Sequence, residues 1–432
     1  MEKNIWIKCL GCVLVILAMA ACSPEDYTYR DNGNVDVSLI DCVVLMPSNV
    51  MVLADGHACL DLYPRLFTQD KNAVLDNRVT EDILEYTSSS GVALTRYFTT
   101  SDASLIGKTL SVQVKIKGTD VISEPVSFQV VAPLDDRYTS EITIPVVFHI
   151  VQTTKEIESL GGKYESDQID LNMKKLNNLF SGAVSNNAVG VNTHIRFELA
   201  QYDPYGKKMR EPGINRYTPG SIDNTGNYVA FLENNHLVWP SDKYMNIWLI
   251  SDLNETIDNF ANDITDKCSP CYVYAGTSGE GRPEGISWEE LAEETVFGPQ
   301  EIGILYKLQE LDNPNRKFGD SSNGSPMNEL AYYVGRYLGL FPTYSYGDDP
   351  ISDYCGDTQD YVGYSGLTVA TSTNVSWYKE SNGCYFRAEN IADDPRGLHI
   401  AVSKQQCERM RWVLENCPQR AAWKSSYALK GL

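Results

Sequence analysis

Residues 329 to 344 read Glu-Leu-Ala-Tyr-Tyr-Val-Gly-Arg-Tyr-Leu-Gly-Leu-Phe-Pro-Thr-Tyr, and this run constrains the fold more than any other stretch of the chain. Leu330, Val334, Tyr337, Leu338 and Phe341 fall at helical spacing. They predict an amphipathic helix over about residues 328 to 339 with one face on a core.

The same run has the frame of a zinc-protease helix. In the pattern H-E-x-x-H, two imidazoles one turn apart hold the metal, and the glutamate beside them activates the bound water. In the extended metzincin pattern a glycine then ends the helix, so that a third histidine can reach the metal. With the frame started at Tyr332, Gly339 is that glycine, and the chemical positions hold Tyr332, Tyr333, Arg336 and Pro342. Arginine has no lone pair and a fixed positive charge, so Arg336 repels Zn²⁺. Pro342 offers no donor atom. A tyrosine must lose a proton of pKa about 10 to ligate a metal, and Tyr333 does not replace a carboxylate base at neutral pH. A second frame, started at Asn328, keeps Glu329 as base but offers Asn328, Tyr332 and Leu338 as ligands.

The flanks favour the first frame. Leu330-Ala331, Tyr337-Leu-Gly-Leu-Phe341 and Thr343-Tyr344 resemble the pappalysin family of metzincins, in particular its Bacteroidetes-type lipoproteins. Four further segments fit that resemblance in order: Ile144 to Val151 and Gly190 to Ala200 as strands, Met245 to Ile250 as the next strand, and Gln406 to Pro418 as a C-terminal helix. The resemblance implies a zinc endopeptidase fold over about residues 140 to 425. It also implies a supporting methionine in a run Asn-Ile-Met-Asp-Tyr, where this chain has Asn390-Ile-Ala-Asp-Asp394, with Ala392 at the methionine position. The family's Asp-Tyr-Val-x-Asp-Thr-Pro run stands here as Asp360-Tyr-Val-Gly-Tyr-Ser-Gly366. The family implies zinc; the residues at these positions predict no cofactor.

The five histidines do not rebuild a metal site. His57 lies in the N-terminal region, His149 and His194 in apolar strand-like runs, His236 in a polar loop, and His399 follows Leu398. None has a second ligand at metal spacing.

At the N-terminus, Lys3 and Lys8 precede an apolar run from Cys9 to Ala21 that ends in Met19-Ala-Ala-Cys22. This is the layout of a signal peptide with a lipobox, too short for a bilayer span of about 20 residues. Residues 1–21 are therefore expected to be removed and Cys22 to carry the lipid. Ser23-Pro-Glu-Asp26 then resembles a surface-export signal, which predicts an outer-membrane lipoprotein on the cell surface, with the periplasmic face as the alternative. Cys42, Cys59, Cys268, Cys271, Cys355, Cys384, Cys407 and Cys417 remain, an even set that suits disulfides in an exported protein. Proximity suggests Cys42 with Cys59, Cys268 with Cys271, Cys355 with Cys384, and Cys407 with Cys417. The pair Cys268-Ser-Pro-Cys271 sits in a polar stretch, suited to a local disulfide or to two separate pairings rather than to a redox or zinc motif.

A net charge of −21 spread along the chain argues against nucleic-acid binding and against adhesion to an anionic membrane by charge. Polar residues 22–35 read as a lipidated tether. Short alternating runs over residues 36–132 (Val35 to Leu39, Cys42 to Met46, Ala58 to Leu62, Leu110 to Ile116, Val126 to Val131) predict an all-β immunoglobulin-like sandwich. Residues 133–432 then form the pappalysin-like domain. The expected class is α+β, a metzincin-like mixed sheet with long helices, among them 171–180 and 404–416.

The function expected is that of a pseudoprotease: a lipoprotein that binds a peptide, protein or glycan without cutting it, with Tyr332, Tyr333 and Arg336 lining the cleft. An active metallopeptidase with other ligands and a structural subunit of a surface complex are the alternatives.

Overall fold

The structure is a computed structural model that describes residues 35–74, 78–159, 166–183, 187–222, 228–250, 303–311, 329–345, 350, 352–362, 377–379, 385–394, 397–416 and 418–431. Cys22, Cys268, Cys271, Cys384 and Cys417 lie outside these residues, as do the signal and tether segments up to residue 34. The chain divides into two compact units, one of Met1–Val44, Pro64–Glu85 and Val114–Glu124, the other of Leu45–Tyr63, Tyr86–Gln113 and Pro125–Leu432.

Among the described residues, seven strands precede residue 132: β1 Ile40–Pro47, β2 Met51–Leu53, β3 Leu60–Thr68, β4 Leu84–Ser88, β5 Tyr97–Phe98, β6 Thr109–Ile116 and β7 Val126–Val131. The strand expected at Val35 to Leu39 is instead a 3₁₀ turn over Val37–Leu39. The Asp36 carboxylate accepts hydrogen bonds from the Ser38 N–H (3.0 Å) and hydroxyl (2.6 Å), drawing the backbone into a turn in place of a ladder. In the first unit, Ile116 N–H donates to Val121 O (2.9 Å), and the Ser123 hydroxyl accepts from Val114 N–H (3.0 Å).

In the second unit β7 runs parallel to β2 and antiparallel to β6. The segment 45–63 is hydrogen-bonded to residues far along the chain: Leu53 N–H to Ala188 O (2.9 Å), Cys59 N–H to Asn187 O (3.2 Å), and Arg387 N–H to Ser48 O (3.0 Å). Asp61 takes a salt bridge from Arg96 at 2.9 Å and another from Arg387 at 3.3 Å. Arg387 also meets Glu389, which in turn accepts from the Asn187 amide.

The central sheet is built on β8 (Ile142–Val151). It carries β9 (Ile195–Leu199) and β10 (Ile214–Tyr217) on one side and β11 (Met245–Ile250) then β12 (Gly303–Lys307) on the other. Every described pairing in this sheet is parallel, where a mixed sheet was expected. The connections explain it: each neighbour of β8 is reached over a stretch long enough to bring the chain back to the same end. Such strands are buried on both faces, which is why β8 and β11 read as apolar runs.

Helix α1 (Ser166–Phe180) buries Ile169, Met173, Leu176, Leu179 and Phe180. It starts earlier than the expected 171, and Leu171, expected on its apolar face, is 36% exposed. The Asn177 side chain exchanges hydrogen bonds with the backbone of Phe197 (2.9 and 3.0 Å), and Phe180 meets Phe197 edge-on at 4.9 Å. These contacts fix α1 on β9. Later helices include α2 (Tyr228–Asn234), α3 (Glu329–Tyr337) and α4 (Lys404–Asn416). Helix α4 opens with a capping box, Ser403 Oγ accepting from Gln406 N–H (3.2 Å) while Gln406 Oε1 accepts from Ser403 N–H (3.0 Å). The Asp357 carboxylate completes that end, accepting from Gln405 N–H (2.9 Å) and the Ser403 hydroxyl (2.7 Å).

Cys42, Cys59, Cys355 and Cys407 are unbonded thiols. The expected Cys42–Cys59 disulfide is therefore not formed, and neither Cys355 nor Cys407 is bridged. Burial pushes the thiol of Cys407 up to about 12 and that of Cys355 well above its ordinary value, so both behave as small core residues.

Candidate functional site

Helix α3 buries Leu330, Ala331, Val334, Tyr337 and, just past its end, Leu338. It stops where the sequence predicts. Gly339 has φ +103°, a conformation costly for any residue with a Cβ. Gly339 N–H donates to Arg336 O (2.9 Å) and Leu340 N–H to Gly335 O (2.9 Å). That crossed pair is a Schellman end.

The carbonyls left over at this end are taken by three arginines. Arg420 Nε donates to Tyr337 O (2.7 Å), Arg409 Nε to Gly339 O (2.7 Å) and Arg336 Nη1 to Leu340 O (3.1 Å). All three are buried, with exposures of 4% for Arg336 and 1% for Arg409 and Arg420. Aromatic faces cover the guanidinium groups: Phe341 lies 5.6 Å from that of Arg336 and 4.9 Å from that of Arg409, and Tyr337 lies 4.1 Å from that of Arg420. The negative end of the helix and its open carbonyls favour such cations.

Arg336 thus turns one guanidinium nitrogen toward the C-terminal end of its own helix. Tyr332 and Tyr333 are half-buried and meet edge-on at 5.3 Å, and Tyr333 meets Tyr306 of β12 at 5.5 Å.

The run Asn390 to Asp394 does come to this helix. Ile391 lies so close that a Cβ placed on Gly335 would meet its Cδ1 at 3.0 Å. Thr343, next to Pro342, donates from its N–H to Ala392 O (3.0 Å) and from its hydroxyl to Asp393 Oδ1 (2.6 Å). Asp393 also accepts from Asn390 N–H (2.6 Å), and burial raises its carboxyl to about 7. Thr343 therefore ties the turn at Ala392 to the segment that follows Gly339 and Pro342. Leu398 and His399 come next in the chain, with His399 Nε2 donating to Asp394 O (2.9 Å) and its pKa lowered by burial to about 4.

The donor set does not fit zinc. Arg336 brings a buried cation already engaged with a carbonyl, Pro342 and Ala392 bring no donor atom, and two phenols remain. Among the described residues no group of three His, Cys, Asp or Glu side chains is placed to hold a metal ion. His149 is likewise occupied elsewhere, its ring fully buried between Asn246 (2.9 Å) and Asn215 (3.0 Å), while the backbone carbonyl of His194 accepts from Arg411 Nη1 (3.4 Å).

Sequence reasoning missed Arg409, Arg420, Thr343 and Asp393. Arg409 and Arg411 flank Met410 on a helix whose apolar face is short of large side chains, a weak sign that arginines are buried there.

No family model and no curated protein matches the chain. Among solved structures it is similar to Tannerella forsythia mature mirolysin in complex with a cleaved peptide, at 22% identity and a TM-score of 0.41, the match covering 67% of this chain and 97% of that one. A Tannerella forsythia promirolysin mutant matches at 20% identity and a TM-score of 0.41, covering 68% of this chain and 87% of that one. A likeness at that level says nothing about activity, which has to be argued from the residues of this chain.

Proposed function

We propose that this protein is a lipid-anchored outer-membrane protein, exposed on the cell surface, whose zinc-protease-like domain has lost its metal ligands and its catalytic glutamate and binds a peptide, protein or glycan without cutting it. In this reading the lipid is carried by Cys22, and residues 36–132 form an immunoglobulin-like module.

The observation that carries the reading is the state of Arg336. At the position where the zinc-protease frame needs an imidazole, a permanent cation is buried and bonded to the helix end, with Phe341 against it. A divalent cation beside it is opposed by charge. Tyr332 and Tyr333 would remain as half-buried aromatic surface for a partner.

The test is cleavage. The full chain is incubated with a degenerate peptide library and with casein, in zinc-containing buffer, with and without a chelator. The reading expects no chelator-sensitive products. Chelator-sensitive cleavage that survives Tyr332→Ala and Arg336→Ala would establish an active peptidase using other ligands.

A further inference from the structure

A pocket of about 610 Å³ opens beside β10, the edge strand of the central sheet, and its walls include Tyr205, Asn215, Tyr217, Glu233, Asn235 and Trp239. Three features distinguish it from an ordinary surface dent.

First, Tyr205 is 88% exposed, more than any other large hydrophobic side chain among the described residues, yet it stands on a tightly held turn. Asp203 Oδ1 accepts from Tyr205 N–H (3.0 Å) and Lys207 N–H (2.9 Å), and Gly206 N–H donates to Asp203 O (3.0 Å). The ring is offered to solvent at little entropic cost.

Second, the amides of the wall are fixed from behind. Asn246 Nδ2 donates to Trp239 O (2.9 Å) and its Oδ1 accepts from Trp239 N–H (3.2 Å), which settles which end of that amide is oxygen. His149 Nε2 must then be the protonated nitrogen that donates to Asn246 Oδ1 (2.9 Å), leaving Nδ1 to accept from Asn215 Nδ2 (3.0 Å). Asn235 is set in the same way, accepting from the Tyr217 hydroxyl and donating to Phe231 O (2.7 Å).

Third, the wall carries no net positive charge for an anion. The Arg216 guanidinium is held in a fork by Glu211, with two contacts of 2.7 Å, while Asp203 and Glu233 add carboxylates.

An exposed aromatic face, pre-oriented amides and carboxylates without an available cation match a neutral ligand that presents C–H faces and vicinal hydroxyls together. We infer that this pocket is a binding site for a neutral oligosaccharide, with the ring of Tyr205 as the stacking platform and Asn215 as a fixed hydroxyl partner. The inference does not rest on the state of the zinc positions, and a metal-loaded protein would leave it standing.

The experiment uses the full chain in a zwitterionic detergent, so that no sugar headgroup competes. It is applied to an array of neutral gluco-, manno-, galacto- and N-acetylhexosamine oligosaccharides with sialylated and sulfated ones as contrast, and hits are titrated by calorimetry. The expected result is binding of at least one neutral oligosaccharide, weakened about tenfold or more by Tyr205→Ala and by Asn215→Ala, and kept within about threefold by Tyr205→Phe. Tyr205 is exposed, so its variants fold. The inference is overturned if no neutral oligosaccharide binds up to about 10 mM, or if Tyr205→Ala binds as well as the parent chain.

Discussion

The guanidinium of Arg409, on the closing helix, donates at 2.7 Å to the carbonyl of Gly339, the residue that ends helix α3. The bond joins two segments seventy residues apart in sequence, and with Arg420 and Arg336 it satisfies a helix end that water does not reach. Charge-assisted hydrogen bonds to buried carbonyls are worth about 1.5–3 kcal/mol each, and removing one partner also leaves the carbonyl desolvated.

Arg409→Ala is therefore expected to lower unfolding free energy by about 3 kcal/mol, seen as a lower urea midpoint with an unchanged slope. Arg409→Lys, which keeps charge but not the fork, recovers only part of it. An Arg409→Ala chain as stable as the parent would mean that the helix end is held by other groups.

Gly303 offers a test of the sheet. A Cβ there would meet the Trp248 ring at 2.6 Å and Asn246 O at 2.8 Å, in a fully buried strand pair. Gly303→Ala is expected to cost more than about 3 kcal/mol by overpacking, whereas Gly339→Ala costs about 1–2 kcal/mol through its φ of +103° alone. Thermal unfolding of the two variants orders them.

Much of the second unit was legible in the sequence. Met245–Ile250 and Lys404–Asn416 begin and end where the family resemblance led one to expect a strand and a closing helix. The stop at Gly339 was a local signal. The unbroken apolar runs of β8 and β11 carried the sign of strands buried on both faces, but which neighbour each would pair with was not legible, since nothing within a strand records it. Nor were the bonds of Leu53, Cys59 and Ser48 to residues 188, 187 and 387, which link positions more than a hundred residues apart. The bond of Arg336 to Leu340 O was hidden for a related reason: its acceptor lies in the turn after the helix, not on the helix face.

The link between segment 45–63 and the rest of its unit predicts the effect of truncation. A chain beginning at residue 133 lacks the partners of Ala188, Asn187 and Arg387, leaving Asp61's salt bridge to Arg387 unmade. It is expected to melt about 5 °C or more below the full chain, or to aggregate, by calorimetry.

Buried carboxyl groups set the pH dependence. Burial raises Asp353 to about 8, Asp393 to about 7 and Asp357 to about 6, against about 3.9 in an unfolded chain. Between about pH 4 and 8 the folded chain holds protons that the unfolded chain has released. The stability due to these groups is thus fully present below about pH 4 and is lost as pH rises through 6, 7 and 8, by up to about 1.4 kcal/mol per pH unit for each proton. The urea midpoint is expected to fall from about pH 5 to about pH 8.5, and Asp353→Asn to flatten the upper part of that fall. A midpoint that rises over this range contradicts the assignment.

Lipid attachment is tested by growing cells with labelled palmitate. The parent chain is expected to take up label and a Cys22→Ala chain to take up none. Equal labelling of the two would mean that Cys22 carries no lipid.

If residues 332, 333, 336 and 342 make no zinc site, the purified protein carries no zinc there, and metal content decides the point. The full chain, purified without chelators after growth in zinc-supplemented medium, is analysed by mass spectrometry for bound metal. Less than about a tenth of an equivalent of zinc is the predicted result, given a buried guanidinium at Arg336. One tightly held equivalent would contradict it and would mean that ligands elsewhere in the chain build a metalloprotease centre.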